Sequence, residues 1–344
     1  MIGPPADLTK TPEDGKSDMD ALSDVLRVAQ LSSGVFVNAE FTDPWCLETS
    51  VTPEACAPFL GPVDHIILYH YVVDGPMRVK LGDAPPISVN GGEIFMFPRN
   101  APHLIGGDLD LPPAYAPDHI CESADGGLCT ITLGDGQGPR VRAICGFLGC
   151  RDIGGNPVLE SLPEMLHLPV AAGRSADWLR STFHYAAGEL ADGRSGCETV
   201  MAKLSELLFV EAVRRYADDL PADQAGWLAG LRDPYVARAL TLLHAQVERA
   251  WTVDDLGREV GLSRSALAER FARTIGEPPM QYLTRWRLQL AARDLRRSDA
   301  PLARIAEGVG YDSEAAFSRA FKRGFGLPPA TWRRQASEAA PAAL

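Results

Sequence analysis

The residues best suited to chemistry in this sequence are arginines, and they recur in a pattern. Ala266-Leu-Ala-Glu-Arg-Phe-Ala-Arg-Thr-Ile-Gly-Glu-Pro-Pro279 returns fifty residues later as Ala316-Phe-Ser-Arg-Ala-Phe-Lys-Arg-Gly-Phe-Gly-Leu-Pro-Pro329, with six of 14 positions identical. Leu267, Phe271 and Ile275, and likewise Phe317, Phe321 and Phe325, recur every four residues and form the stripe that a helix buries. Setting that stripe aside leaves Arg264, Ser265, Ala268, Glu269 and Arg273 in the first copy. In the second it leaves Glu314, Ala315, Ser318, Arg319, Lys322 and Arg323. The arginine fork matches phosphate oxygens and the guanine edge. Early positions of a helix laid in the DNA major groove reach base edges, and later basic ones reach phosphates. Arg319 therefore suits guanine, and Glu269 or Glu314 suits cytosine N4. A glutamate in these places also serves as an i,i+4 ion-pair partner or, at Glu314, as a favourable charge at a helix start.

The elements that must carry these residues are legible around them. Val253, Leu256 and Val260 match Leu302, Ile305 and Val309 at an offset of 49, so a short helix precedes each copy. Gly261-Leu-Ser263 and Gly310-Tyr-Asp-Ser313 supply the turns, and Ser263 and Ser313 can accept from the free N–H groups of the helices that follow. Gly276 and Gly326 end those helices, with prolines after them. This is a helix-turn-helix, twice. A connecting helix over Pro279–Ser298 has 20 residues, about 30 Å of rise, close to the roughly 34 Å of one turn of B-DNA. The two second helices are thus predicted to enter successive major grooves.

The chain has 344 residues and a net charge of −12, which taken whole argues against a nucleic-acid partner. Between Arg232 and Ala336, however, 18 basic residues face 12 acidic ones, a net of +6, while the remainder carries 15 against 33, a net of −18. The asymmetry points to a nucleic-acid-binding module joined to an acidic partner domain. From Val35 to about Phe147 the pattern is short β-type runs, such as His65–Val73 and the strictly alternating Met77–Leu81, broken by Gly, Pro, Asp and Asn. After Pro157 it turns helical, with candidates over 176–190 and 198–216, the second carrying a stripe of Val200, Leu204, Leu207, Leu208 and Val213. The longest apolar or glycine run, Ala143–Cys150, has eight residues, too few to span a membrane. The acidic first twenty residues are no secretory signal. Seven cysteines without a CxxC pair suggest reduced thiols in a cytoplasm.

Ile305-Ala-Glu-Gly-Val-Gly-Tyr-Asp-Ser-Glu-Ala-Ala-Phe-Ser-Arg-Ala-Phe-Lys-Arg-Gly-Phe-Gly-Leu-Pro-Pro329 and Gln281-Tyr-Leu-Thr-Arg-Trp-Arg-Leu288 resemble the AraC/XylS family of bacterial transcription regulators. The resemblance covers about a hundred residues, from Pro234 to Arg334. The family often has arginine where this chain has Glu269, which moves base contact in the first motif toward Arg264. Gly91-Gly-Glu-Ile-Phe-Met-Phe-Pro-Arg-Asn-Ala-Pro-His103 is similar to the second half of a cupin, the small barrel such regulators use as a sensor.

The resemblance implies a multi-domain α+β chain: a cupin-like β-barrel, a helical dimerisation segment, and an all-α C-terminal domain with two helix-turn-helix motifs. The expected bounds are a disordered tail at 1–20, the barrel at 21–155, the dimerisation segment at 156–217, a linker at 218–231, the DNA-binding domain at 232–336 and a tail at 337–344. The implied function is sequence-specific control of transcription, activating rather than repressing, by a cytoplasmic homodimer on double-stranded DNA, with RNA polymerase as a further candidate partner. A small-molecule effector is expected in the barrel, near Tyr69, Tyr71, Phe97 and His103.

No catalytic residue, metal or cofactor is expected. His65 and His70 are five apart and so fall on opposite faces of a strand, and His103 lacks a visible partner. Cys121, Cys129, Cys145 and Cys150 read as small buried hydrophobes, although a thiol sensor or a soft-metal site with His70 or His103 is the sharper alternative. There is neither a Gly-x-Ser-x-Gly elbow nor a phosphate loop. The competing reading is a cupin metalloenzyme with a C-terminal helical interaction module; a DNA-binding protein whose barrel only dimerises is the third.

Overall fold

The computed structural model describes residues 20–338 apart from 30, 61–62, 122–128, 151–155, 169–180, 183–184, 186–195 and 222–223. The tail expected at 1–20 lies, up to residue 19, outside the described residues, as do 339–344 and most of the helix expected at 176–190. The N-terminal part runs α1 (Ala21–Ala29), β1 (Leu31–Thr42), β2 (Cys46–Thr49), α2 (Pro53–Leu60), β3 (His65–Asp74), β4 (Met77–Leu81), β5 (Ile87–Val89) and β6 (Ile94–Phe97). It continues with β7 (His103–Gly106), β8 (Ala114–Tyr115), β9 (Ile120–Cys121), β10 (Cys129–Leu133), β11 (Arg140–Cys150), α3 (Pro157–Ser161) and β12 (Leu166–Leu168). A seven-stranded sheet in the order β12-β6-β3-β11-β1-β10-β9 faces a five-stranded sheet in the order β5-β4-β7-β2-β8.

Alternation along each strand decides what fills the space between the sheets. Ile66, Leu68 and Val72 of β3, Phe95 and Phe97 of β6, and Val141, Ala143 and Phe147 of β11 point inward, to meet Leu47, Val79 and Ile105 from the smaller sheet. The intervening residues Ile67, Tyr69, Tyr71, Ile94, Met96, Ile144 and Leu148 point the other way and are also buried. The cause is α4 (Cys197–Asp219), which lays Leu208, Phe209, Ala212 and Val213 in that outer cluster. A strand covered on both faces reads as an unbroken apolar run, as Ile94-Phe-Met-Phe97 does. Gly146 makes one close approach possible: a Cβ there would collide with the Tyr69 hydroxyl.

The rest of the chain is helical: α5 (Trp227–Gly230), α6 (Pro234–Ala245), α7 (Val253–Val260), α8 (Arg264–Ile275), α9 (Pro279–Arg297), α10 (Leu302–Gly308), α11 (Glu314–Phe325) and α12 (Pro329–Glu338). The segment expected as a linker at 218–231 differs from that reading. Its α5 buries Trp227 and Leu228, and the Trp227 indole donates to the Tyr282 hydroxyl at 2.8 Å, so the end of the stretch joins the core while Asp218, Asp219, Pro221, Gln224 and Ala225 are exposed.

Two hydrophobic clusters organise the helices. Leu240, Leu256, Leu267, Phe271, Tyr282 and Trp286 belong to the same cluster as the outer face of the larger sheet, joined by Ala21 and Val25 of α1. Leu288, Ala291, Leu295, Ile305, Phe317 and Phe321 form a separate one. The first helix pair is therefore welded to the N-terminal domain, whereas the second has its own core and reaches the first through α9.

Candidate functional site

Each helix pair is built by the same local rules. Ser263 Oγ accepts from the Ala266 N–H at 3.3 Å and Ser313 Oγ from that of Ala316 at 3.2 Å, satisfying donors that the first turn of a helix leaves open. Gly276 and Gly326 close α8 and α11 in the left-handed conformation. The stripes Leu267/Phe271 and Phe317/Phe321 are buried to the last atom. What remains outside includes Arg264, Ser265, Glu269 and Arg273 on α8 and Glu314, Arg319, Lys322 and Arg323 on α11, with Ser318 half-buried. Every residue expected to meet DNA thus lies on one of these two helices.

Glu269 spans 3.6 Å to Arg273 as an i,i+4 pair with both side chains largely in solvent, and Arg264 stands 3.8 Å from Asp254. Exposed pairs of this kind contribute little, about 0–1 kcal/mol, so both arginines can exchange them for phosphate or base contacts. Glu314 occupies the first turn of α11, where a carboxylate favours the helix dipole.

The four residues expected around an effector do not come together. Phe97 and His103 lie between the sheets, their rings stacked at 3.4 Å. Tyr69 and Tyr71 are on the opposite face of β3, where the Tyr69 hydroxyl meets Ser205 of α4 at 3.0 Å. The reason is parity: residues 69 and 71 fall on the face opposite to 66, 68, 70 and 72.

His103, for which the sequence offers no partner, has several. Its Nδ1–H donates to the Ala101 carbonyl at 2.9 Å, so its Nε2 accepts. Thr49 Oγ1 and His70 Nε2, the latter at 3.1 Å, both reach that nitrogen. With its proton on Nε2, His70 accepts the Cys145 thiol proton at Nδ1, 2.9 Å away. A closed chain of neutral groups results, stacked on Phe95 and Phe97. Burial drives His70 well below an ordinary histidine, takes His103 down to about 4 and pushes the Cys145 thiol up to about 12. Among the described residues no three His, Cys, Asp or Glu side chains gather around a metal position. His65 points elsewhere, to the Pro98 carbonyl.

Sequence reasoning missed the joint between the domains. Arg285 of α9 pairs with Glu277 at 2.6 Å and reaches Glu160 of α3 at 3.5 Å. Arg296, also on α9, pairs with Asp64 beside β3. A cleft of about 300 Å³ opens at this joint, lined by Glu160, Gln224, Trp227, Ile275 and Arg285 among others. These pairs link residues far apart in the chain, and no local pattern announces them.

Comparison with known proteins agrees with this division. Residues 20–218 match a family model described as cupin and residues 256–335 one described as a helix-turn-helix domain. A putative AraC-like transcription regulator from Streptomyces antibioticus is 32% identical over 319 residues, covering 92% of this chain and 99% of that protein. The HTH-type transcriptional regulator AlkR of Acinetobacter baylyi is 28% identical over 325 residues, covering 92% of this chain and 100% of its own. A solved AraC-type transcriptional regulator from Chromobacterium violaceum is 27% identical with a TM-score of 0.30, spanning 31% of this chain and 96% of that one.

Proposed function

Because this chain belongs to the AraC-like family of transcription regulators, and is a DNA-binding regulator rather than an enzyme, we propose that it reads an operator with two helix-turn-helix heads under the control of its N-terminal domain. The observation that carries the proposal is the division of labour on α8 and α11. Each helix spends its apolar stripe on a core, is capped by a serine, and leaves Arg264 and Arg273, or Arg319, Lys322 and Arg323, facing outward. Early side chains, Arg264, Ser265, Glu314 and Ser318, read base edges with Arg319 and Glu269, and the later basic ones hold phosphates.

The protein acts as a homodimer in the cytoplasm, through α4, whose Leu207 is 45% exposed beside a face otherwise packed on the sheet. Two chains present four reading heads to two half-sites. A small-molecule effector regulates by binding one arrangement of the two domains more tightly than the other and shifting the population able to engage DNA. The route is short, since the outer face of the larger sheet and the first head belong to one hydrophobic cluster. Activation of transcription, with RNA polymerase as further partner, completes the proposal.

The test is selection of genomic DNA fragments by the full-length protein, repeated with Arg319→Ala. A repeated motif that the wild type enriches and the variant relaxes at one position is the expected result. Enrichment of nothing by the wild type, or of the same motif with undiminished preference by the variant, overturns the assignment.

A further inference from the structure

We propose that Arg287 sets the spacing at which this protein accepts its two DNA sub-motifs, acting as a positioning residue that locks the two reading heads together. The inference rests on the two-headed reading above and adds a residue that touches neither base nor phosphate in it. The heads have separate cores, and the helix between them, α9, has 19 residues, about 28 Å of rise. A lever of that length with a free module at its end would let the second head swing, and with it the groove that α11 enters. Something must hold the module sideways.

Arg287 leaves α9 near its middle and does so. Its Nε donates to the Val247 carbonyl at 2.8 Å and its Nη2 to the Arg249 carbonyl at 2.7 Å. Both acceptors lie in the segment after α6 that runs into Thr252, the N-cap of α7 in the first head. The turn of the second head lies against the same guanidinium. A Cβ on Gly310 would stand 2.6 Å from Arg287 Nη2 and 2.8 Å from the Glu248 carbonyl oxygen. Gly310, at φ +81°, is thus required both by its backbone and by this approach. Tyr311, next in the turn, packs edge-on against Phe317 of α11 at 5.6 Å. One planar fork is therefore bonded to the lead-in of one head and packed under the turn of the other. Lysine, a single point donor, cannot reproduce both carbonyl bonds in a fixed plane.

If Arg287 merely stabilised the first head, its loss would weaken binding at every spacing alike. As a clamp it makes a wrong spacing costly, because an inserted base pair moves a sub-motif by about 3.4 Å and about 35° around the duplex. The experiment uses full-length wild type, Arg287→Met and Arg287→Lys. Each is selected in parallel on a double-stranded library with a random segment of about 30 base pairs, enough for two grooves one turn apart. Circular dichroism confirms folding. The wild type is expected to enrich two sub-motifs at one spacing. Arg287→Met should enrich the same two sub-motifs over neighbouring spacings, its preference for the best spacing falling about tenfold, the scale of one charge-assisted hydrogen bond. Arg287→Lys should fall between them.

A variant that folds, binds more weakly and keeps the single wild-type spacing overturns the clamp while leaving the DNA reading intact. If the methionine variant does not fold, the lysine variant decides by the same reading. A wild type that enriches no paired sub-motif overturns the two-headed reading itself, and the clamp with it.

Discussion

His244 should make the stability of this protein fall in acid, and removing it should flatten that response by a calculable amount. The imidazole is enclosed in the cluster that joins the two domains, stacked on Trp286 at 4.2 Å with Trp227 at 6.5 Å. The Trp227 indole can only donate, so the Tyr282 hydroxyl accepts from it and gives its own proton to His244 Nε2, 2.7 Å away. The ring is thereby neutral, with its proton on Nδ1. Asp24 Oδ2 is 4.0 Å from that nitrogen, beyond hydrogen-bond range, and its other oxygen pairs with Arg27 at 2.8 Å, while burial pushes the carboxyl up. Burial takes His244 from the usual 6.5 down to about 3.

Between those two values the unfolded chain binds a proton that the folded chain refuses. Stability is therefore complete above about 6.5 and is lost as pH falls from there toward 3. At about pH 5 the loss is roughly 1.5 pH units at 1.36 kcal/mol each, about 2 kcal/mol. His103, taken down to about 4, adds a similar loss of about 2 kcal/mol by the same arithmetic. Urea unfolding followed by tryptophan fluorescence, at about pH 7 and about pH 5, reads the effect directly, because Trp227, Trp251 and Trp286 share the cluster. His244→Gln should be weaker at neutral pH by about 1–3 kcal/mol, through the lost Tyr282 bond and packing. Its loss between the two pH values should nonetheless be smaller than that of the wild type by about 2 kcal/mol. Parallel losses in variant and wild type would refute the assignment of His244 as a buried neutral group.

The remaining expectations concern the heads and the thiols. Lys322→Ala should weaken DNA binding about evenly across sequences and lower the salt slope by about 1, whereas Arg319→Ala should cost about 1–3 kcal/mol and relax one base position; titrations at several salt concentrations separate the two. Phe317→Ala should cost about 3–5 kcal/mol. Because the second head has its own core, hydrogen exchange should rise over α10–α12 and stay unchanged over α6–α8; a rise in both would mean one cooperative unit. Cys121, exposed, should react with a thiol reagent well before Cys145, which is half-buried, bonded to His70 and pushed up to about 12; equal rates in the native protein would contradict the Cys145–His70 pairing.

The helical third of the chain was open to reading because its determinants are local. A stripe at every fourth residue, a serine before a helix and a glycine after it act within one or two turns, so the Ala266–Pro279 and Ala316–Pro329 repeat carries its structure and its outward-facing arginines in its own spacing. The barrel was not readable to the same depth. The central strands β3 and β6 of the larger sheet are covered on both faces, by the opposing sheet and by α4, so hydrophobicity does not distinguish the face of Phe97 from that of Tyr69. The expected four-residue pocket split along that ambiguity, while His70, Cys145 and Thr49 gathered at His103 from three other strands. Arg287 and Arg285 look, in sequence, like any other arginine on a basic helix. Their roles depend on carbonyls and carboxylates brought close by packing from distant stretches of chain, and proximity of that kind is a property of the folded core rather than of neighbouring residues.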